Sequence, residues 1–176
     1  VGKTNLDQFA TGLVGTRSPY GRPASTFGTR HISGGSSSGS AVVVSRGDVP
    51  FALGTDTAGS GRVPAGFNNV VGLKPSPGRV GTSRMVPACR SPDCVSVFAL
   101  TVDDAAAVLA VIEGDDAADS YSAFSPRSAA WPQQLRIGVP EAPLVDAAYG
   151  APWDRALAQA RELGHLIVPL DFTPLH

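Results

Sequence analysis

Short apolar stretches alternate along the chain with small-residue or amphipathic stretches, and turn residues separate them. The pattern predicts helices over 37–47, 102–113 and 152–164, with a short helical turn ahead of residue 70. It predicts strands over 49–56, 70–73, 135–140 and 165–172, the first of them buried. Helices that alternate with short apolar strands indicate an α/β fold.

The helix over 102–113 has the strongest local signals. Thr101 suits the N-cap position, and Asp103 and Asp104 place negative charge in the first turn, where the helix dipole favours it. These two carboxylates are therefore interpreted as helix-stabilising charges without a chemical role.

Gly and Pro are frequent, at 20 and 15 of 176 residues, and they mark the irregular parts of the chain. Residues 1–30 are predicted to be rich in loops, and residues 115–134 to form an exposed connector. Hydrophobic residues make up 43% of the chain and charged residues only 16%, so most of it should be interior.

Charge and cysteine content exclude several classes of function. A net charge of −1 gives no electrostatic reason to expect nucleic acid or an anionic membrane as a partner. Cys89 and Cys94 form a C-x4-C pair, but a zinc site would need two more ligands from His31, His165 and His176. We expect no metal site and two reduced thiols, as in a cytoplasmic protein.

Two segments of small residues carry the candidate chemistry. "HISGGSSSGSAVVV" (31–44) leads directly into an apolar helix, which favours a shaped loop over a flexible linker. "LGTDTAGSGRVPA" (53–65) runs from a strand into a turn with Ser60 at its tip. Backbone amides of such a turn can point at one carbonyl oxygen and stabilise an oxyanion. Taken alone, the turn is more typical of an ordinary tight turn, and "GTDTAGSG" does not have the spacing of a phosphate-binding or dinucleotide-binding loop.

Together, these two segments, at their spacing and in their order, resemble the amidase signature family. The resemblance extends from "GKTNLDQFATG" through "VGLKPSPGRV" to the last strand. It implies a mixed β-sheet core covered by helices on both faces, and a Ser–cis-Ser–Lys catalytic triad. Ser60 matches the nucleophile, and Ser36 matches the cis-serine that relays a proton between the nucleophile and the lysine.

The same resemblance implies an oxyanion hole built from the backbone amides of Thr57, Ala58, Gly59 and Ser60. The family's lysine lies upstream of the Gly/Ser segment, and neither Lys3 nor Lys74 matches its position. We therefore expect residues 1–176 to be the central part of a single amidase domain. The N-terminal part with the lysine and the C-terminal part with the carboxylate-binding residues are expected outside the chain, and the chain alone is expected to be inactive.

Within the family, "GTRSPYG", "GGSSSGSAVVVS" and "VPACRSPDCVSVFALTVDDAA" are most similar to the allophanate hydrolases. That similarity implies hydrolysis of allophanate (urea-1-carboxylate) to ammonia and carbon dioxide without a cofactor. It also implies a functional link to a biotin-dependent urea carboxylase, and it leaves a homodimer open. The alternatives are a general amidase, the amidotransferase component that works on misacylated tRNA, and an amidase-like module without catalysis.

Other polar residues have structural interpretations beside functional ones. Arg62 is a candidate for binding a substrate carboxylate, although a structural ion pair is favoured. Asp56 is expected to hold the nucleophile turn by accepting from backbone amides. His31 is expected to pack or hydrogen-bond, and Tyr20 is equally compatible with a surface turn and with the rim of the site.

Overall fold

The computed structural model describes residues 2–126, 132–141 and 146–173. The chain divides into two compact units, Val1–Arg127 and Ser128–His176. The elements of the first unit are a 3-10 turn at Gln8–Ala10, strands β1 (Ala24–Ser25) and β2 (Gly28–Ile32), helix α1 (Ser38–Ser45), strand β3 (Phe51–Thr55), helix α2 (Arg62–Phe67), strands β4 (Val71–Leu73) and β5 (Val95–Ala99), and helix α3 (Val102–Ile112).

A three-stranded antiparallel sheet in the order β3–β5–β4 forms the centre of the first unit. The sequence pattern did not predict β5, which is the central strand and the most buried one. It predicted β3 as a buried strand. The strand is present, but the predicted burial is wrong because β3 lies at the edge of the sheet. Phe51 and Leu53 of β3 are exposed by 44% and 43%.

Helices cover both faces of this sheet. Successive side chains of β5 point to opposite faces, so β5 contributes apolar residues to a cluster on each side. On one face, Phe98 packs with Ala41 and Val44 of α1 and Ala65 of α2. On the other face, a second cluster joins β5 to α3; its buried members are Val97, Ala99 and Ala105. The predicted α/β class with helices on both faces is confirmed, while the described strands form separate small sheets.

Residues predicted as loops include an antiparallel hairpin of β1 and β2. The buried side chain of Asn68 ties the hairpin to α2. It accepts from the Thr26 amide at 3.2 Å and donates to the Ser33 carbonyl at 2.8 Å. These bonds hold the chain just ahead of the Gly/Ser segment.

The predicted N-cap of α3 is confirmed, since the Thr101 hydroxyl accepts from the Asp104 amide at 3.1 Å. The connector that follows is less exposed than predicted. Asp119 is buried and accepts from the Thr82 amide at 2.7 Å and the Thr82 hydroxyl at 2.6 Å. Residues 127–131 of the predicted connector lie outside the described residues.

The second unit is a strand–helix–strand segment in which β6 (Arg136–Pro140) pairs in parallel with β7 (Leu166–Leu170). Helix α4 (Ala147–Glu162) makes the crossover, as a parallel pair requires. It begins earlier than predicted, because Pro152 lies inside the helix and does not open it. Among the described residues, no helix combines the length and apolar character needed to cross a membrane.

Candidate active site

The two small-residue segments meet in the first unit, each just ahead of a short helix. Ser36 precedes α1, and Ser60 precedes α2. The Ser37 amide donates to the Ser60 carbonyl at 3.2 Å, so the two segments are joined through their backbones. Both serines are nearly inaccessible, with 1% of Ser36 and 4% of Ser60 exposed.

The Gly/Ser segment is held on both sides by the loop at residues 4–15. The Gly35 amide donates to the Leu13 carbonyl, and the Asp7 amide donates to the Ser36 carbonyl, both at 2.9 Å. The peptide bond between Gly35 and Ser36 is cis. A side chain at position 35 would collide with the Asp7 carboxylate, so only glycine fits there.

Asp7 is a site residue that the sequence analysis did not single out. Its carboxylate is fully buried and accepts from the Gly15 amide at 3.0 Å and the Arg17 amide at 2.7 Å. It thus shapes the loop that supports Ser36. Its sequence context, "NLDQFATG", gives no signal of this role, because its partners are backbone amides 8 and 10 residues away.

Ser36 lines a cavity of about 390 Å³ whose walls also include Leu6, Phe9, Leu53 and Met85. Buried hydroxyls are nearly always hydrogen-bonded. The Ser36 Oγ has no hydrogen-bond partner within the described ranges, the Ser60 hydroxyl included. This polar atom is therefore available to a group that the described residues do not supply.

The turn at 56–62 carries Ser60 and is called the nucleophile turn after the role predicted for that serine. It is organised around Asp56, which is fully buried. Its carboxylate accepts from the Gly59 amide at 2.7 Å and from the Arg62 amide at 3.0 Å. Gly59 has a φ of +129°, a conformation that a residue with a Cβ rarely adopts. The predicted role of Asp56 in holding the turn matches this geometry.

Arg62 closes the turn with a bidentate ion pair, donating Nε at 2.9 Å and Nη2 at 3.0 Å to Asp56. Burial alone would raise the pKa of Asp56, but the hydrogen bonds from Arg62 and Gly59 and the charge of Lys74 outweigh it and hold the pKa well below its ordinary value. The same hydrogen bond to Asp56 raises the pKa of Arg62. The structural ion pair favoured for Arg62 is present.

Lys74 also belongs to this turn. Its ammonium group donates to the Thr57 carbonyl at 3.1 Å and lies 3.4 Å from Asp56 Oδ1. Both contacts support the nucleophile turn, as expected for a lysine without a triad role.

The expected oxyanion donors are not equivalent. Gly59 was expected to be one of the oxyanion donors, but its amide already donates to the Asp56 carboxylate. The amides of Thr57, Ala58 and Ser60 donate no hydrogen bond within the part of the chain that the structure describes. These three donors remain open to a substrate oxygen.

The other candidates lie apart from this chemistry. Tyr20 is 87% exposed, and His31 is also exposed. Both cysteines are free, and burial raises the pKa of Cys94. No cluster of metal-ligating side chains occurs among the described residues.

Comparison with known proteins decides the family. The amidase family model matches residues 1–176. The chain belongs to the amidase family. Its similarity is high to urea amidolyase of Lachancea kluyveri, with 50% identity over 180 residues that cover 99% of this chain and 10% of that protein.

Another amidase-family protein and a solved structure are also similar. The glutamyl-tRNA(Gln) amidotransferase protein of Chlorobium luteolum is 40% identical over 183 residues, which cover 96% of this chain and 38% of that protein. The structure of Kluyveromyces lactis allophanate hydrolase superposes with a TM-score of 0.92 at 49% identity, covering 99% of this chain and 29% of that one. The amidase chain thus spans well under half the length of the proteins it matches.

Proposed function

We propose that this amidase segment belongs to an enzyme that hydrolyses allophanate to ammonia and carbon dioxide. The observation that carries the proposal is the similarity over 99% of the chain to an allophanate hydrolase, with a TM-score of 0.92. The identity to a urea amidolyase, at 50%, supports the same substrate. The sequence identities to these two proteins, 49% and 50%, exceed the 40% identity to the amidotransferase protein.

Ser60 is the proposed nucleophile and Ser36 the proposed proton relay. Ser60 Oγ attacks the amide carbonyl carbon, and its proton passes through Ser36 to a neutral lysine outside the described residues. The C–N bond then breaks, Ser36 returns the proton to the leaving nitrogen, and ammonia departs. Water hydrolyses the resulting acyl-enzyme and frees Ser60, and the N-carboxycarbamate that is released breaks down to a second ammonia and two molecules of carbon dioxide. The unpartnered hydroxyl of buried Ser36 supports its relay role, because it can accept from one side and donate to the other.

The developing oxyanion is placed against the amides of Thr57, Ala58 and Ser60. Each is a backbone dipole in a turn where Asp56, Gly59 and Ser60 are buried and Ala58 is exposed. Removing one oxyanion donor typically raises the barrier by about 3 kcal/mol. Gly59 contributes differently, since its bond to Asp56 fixes the turn between the donors.

An exposed positive charge at the turn suits an anionic substrate. Arg62 and Lys74 face two carboxylates there, Asp56 and Asp93, and of these four side chains that of Arg62 is the most exposed. The Arg62 side chain is 56% exposed although two of its nitrogens bond to Asp56. We propose that its remaining nitrogen attracts the substrate carboxylate, while residues beyond the chain complete the binding.

The substrate also defines the proposed partner. Allophanate is carboxylated urea, and we propose that a biotin-dependent urea carboxylase supplies it. We place both reactions in the cytoplasm, with no cofactor at the amidase site and a homodimer as one assembly to be tested.

A substrate panel tests the proposal. Ammonium release by the complete gene product is measured on allophanate, malonamide and a simple fatty amide, with Ser60→Ala as control. Release from allophanate alone, abolished by the substitution, is expected. If malonamide or the fatty amide is hydrolysed and allophanate is not, the result would favour a general amidase. If none of the three is hydrolysed, it would favour a module without catalysis.

A further inference from the structure

One buried carboxylate outside the proposed triad touches the nucleophile turn. Asp93 is 4% exposed, and its Oδ1 accepts from the Thr57 hydroxyl at 2.5 Å. We infer that Asp93 is a positioning residue that acts through Thr57 to aim the oxyanion-binding amides. The inference rests on the proposed function, because the proposed function assigns oxyanion binding to these amides.

The partners of Asp93 show why its carboxylate is committed to this contact. The Ala88 amide donates to Oδ2 at 3.0 Å, and the Cys89 amide donates to Oδ1 and Oδ2 at 3.1 Å. Among the ion pairs of the described residues, none includes Asp93. Thr57 is therefore its single side-chain partner there, and the loop at 88–93 is folded to present the carboxylate to Thr57.

The same loop braces the turn at a neighbouring residue. The carbonyl of Cys94 accepts from the Asp56 amide at 2.8 Å. Adjacent residues of this loop thus hold adjacent residues of the nucleophile turn, one through the backbone and the other through a side chain. A rigid-body shift of the loop would move Asp56 and Thr57 together.

Thr57 is held at two of its three polar groups. Asp93 binds its hydroxyl, and Lys74 donates to its carbonyl at 3.1 Å. Because a trans peptide is planar, a fixed Thr57 carbonyl also fixes the Ala58 N–H, which points the opposite way. The Ala58 amide is thereby left as an oriented donor in the open part of the turn.

An oxyanion exists only in the transition state and intermediate, so misaligned donors lower kcat and leave KM nearly unchanged. We expect Thr57→Val and Asp93→Asn to reduce kcat by about 10-fold or more, within the range for mispositioned catalytic groups. Thr57→Ser retains the hydroxyl and should recover most of the kcat that Thr57→Val loses. Thr101→Val is the matched control, because it deletes a threonine hydroxyl that caps α3 away from the turn.

Two measurements on the complete gene product test the inference. Steady-state kinetics on allophanate give the kcat and KM split, and hydrogen exchange over residues 55–61 reports the order of the turn without requiring turnover. Faster exchange and lower kcat are expected in Thr57→Val and Asp93→Asn, and Thr57→Ser should reverse most of both effects. Neither effect is expected in Thr101→Val.

The inference is overturned by unchanged exchange over 55–61, by a loss confined to KM, or by a Thr57→Ser variant as impaired as Thr57→Val. A wild-type protein that releases no ammonium would instead refute the proposed function. Hydrogen exchange alone would then decide whether Asp93 orders the turn.

Discussion

Asp56→Asn is the substitution for which the structure allows the sharpest estimate. The carboxylate is fully buried and accepts two backbone amides and a bidentate guanidinium, with Lys74 at 3.4 Å. An asparagine of the same shape removes the charge and turns one acceptor into a donor that faces other donors. Breaking a buried ion pair by removing one partner typically costs about 3–5 kcal/mol. Because Arg62 is half-exposed and can rehydrate, the lower end, about 3 kcal/mol, is expected.

Native-state hydrogen exchange of the complete gene product is the suitable assay, because it reports local opening. A loss of about 3 kcal/mol corresponds to exchange about 150-fold faster for the protected amides of α2. Asp48→Asn is the matched control, since Asp48 pairs with Arg46 on the surface with both side chains largely exposed. Its effect should stay below about 0.5 kcal/mol. Equal exchange in the two variants would refute the argument that buried Asp56 organises the turn.

The pH dependence follows from the direction of the pKa shift. The folded-state pKa of Asp56 lies below its ordinary value of 3.8, so its contribution is fully present above that value and is lost only as pH falls towards the folded pKa. The free energy of local opening should therefore differ between wild type and Asp56→Asn by a constant amount from neutral pH down to about pH 5. Below about pH 5 this difference should become smaller. A difference that changes between pH 6 and pH 8 would contradict this assignment.

Three further predictions concern the core, a helix cap and the relay serine. Phe98→Ala should lower the free energy of unfolding by about 3–5 kcal/mol, measured by thermal denaturation, because Phe98 is fully buried between the sheet and two helices. Thr101→Val should cost about 1 kcal/mol in the same assay through loss of the α3 cap, with ammonium release unchanged. Ser36→Ala should abolish ammonium release without lowering the melting temperature, because its hydroxyl has no hydrogen-bond partner among the described residues. A melting temperature that falls with activity in Ser36→Ala would assign the serine a structural role.

The sequence predicted the helices well but not the order of the strands. β5 has both faces buried and therefore lacks the alternation of apolar and polar residues that marks a strand. β3 carries an equally apolar run and still lies at the edge. Which strand occupies the centre depends on pairing between residues far apart in the chain, such as Phe51 with Ala99, and no local pattern encodes it.

The candidate site divides in the same way. Ser36 and Ser60 could be proposed because the two small-residue segments that contain them resemble the amidase signature family. Asp7 and Asp93 could not, because their partners are backbone amides and a hydroxyl that only folding brings near them. Gly59 was expected as an oxyanion donor, and only the position of Asp56 shows that its amide is already bonded.

The central claim is that Ser60 is acylated by allophanate. The most direct test is to quench the complete gene product during turnover, digest it and map covalent adducts by mass spectrometry. We predict an acyl adduct on the peptide that contains Ser60, and no adduct and no ammonium release in Ser60→Ala. An adduct on another residue, or undiminished turnover by Ser60→Ala, would contradict the account.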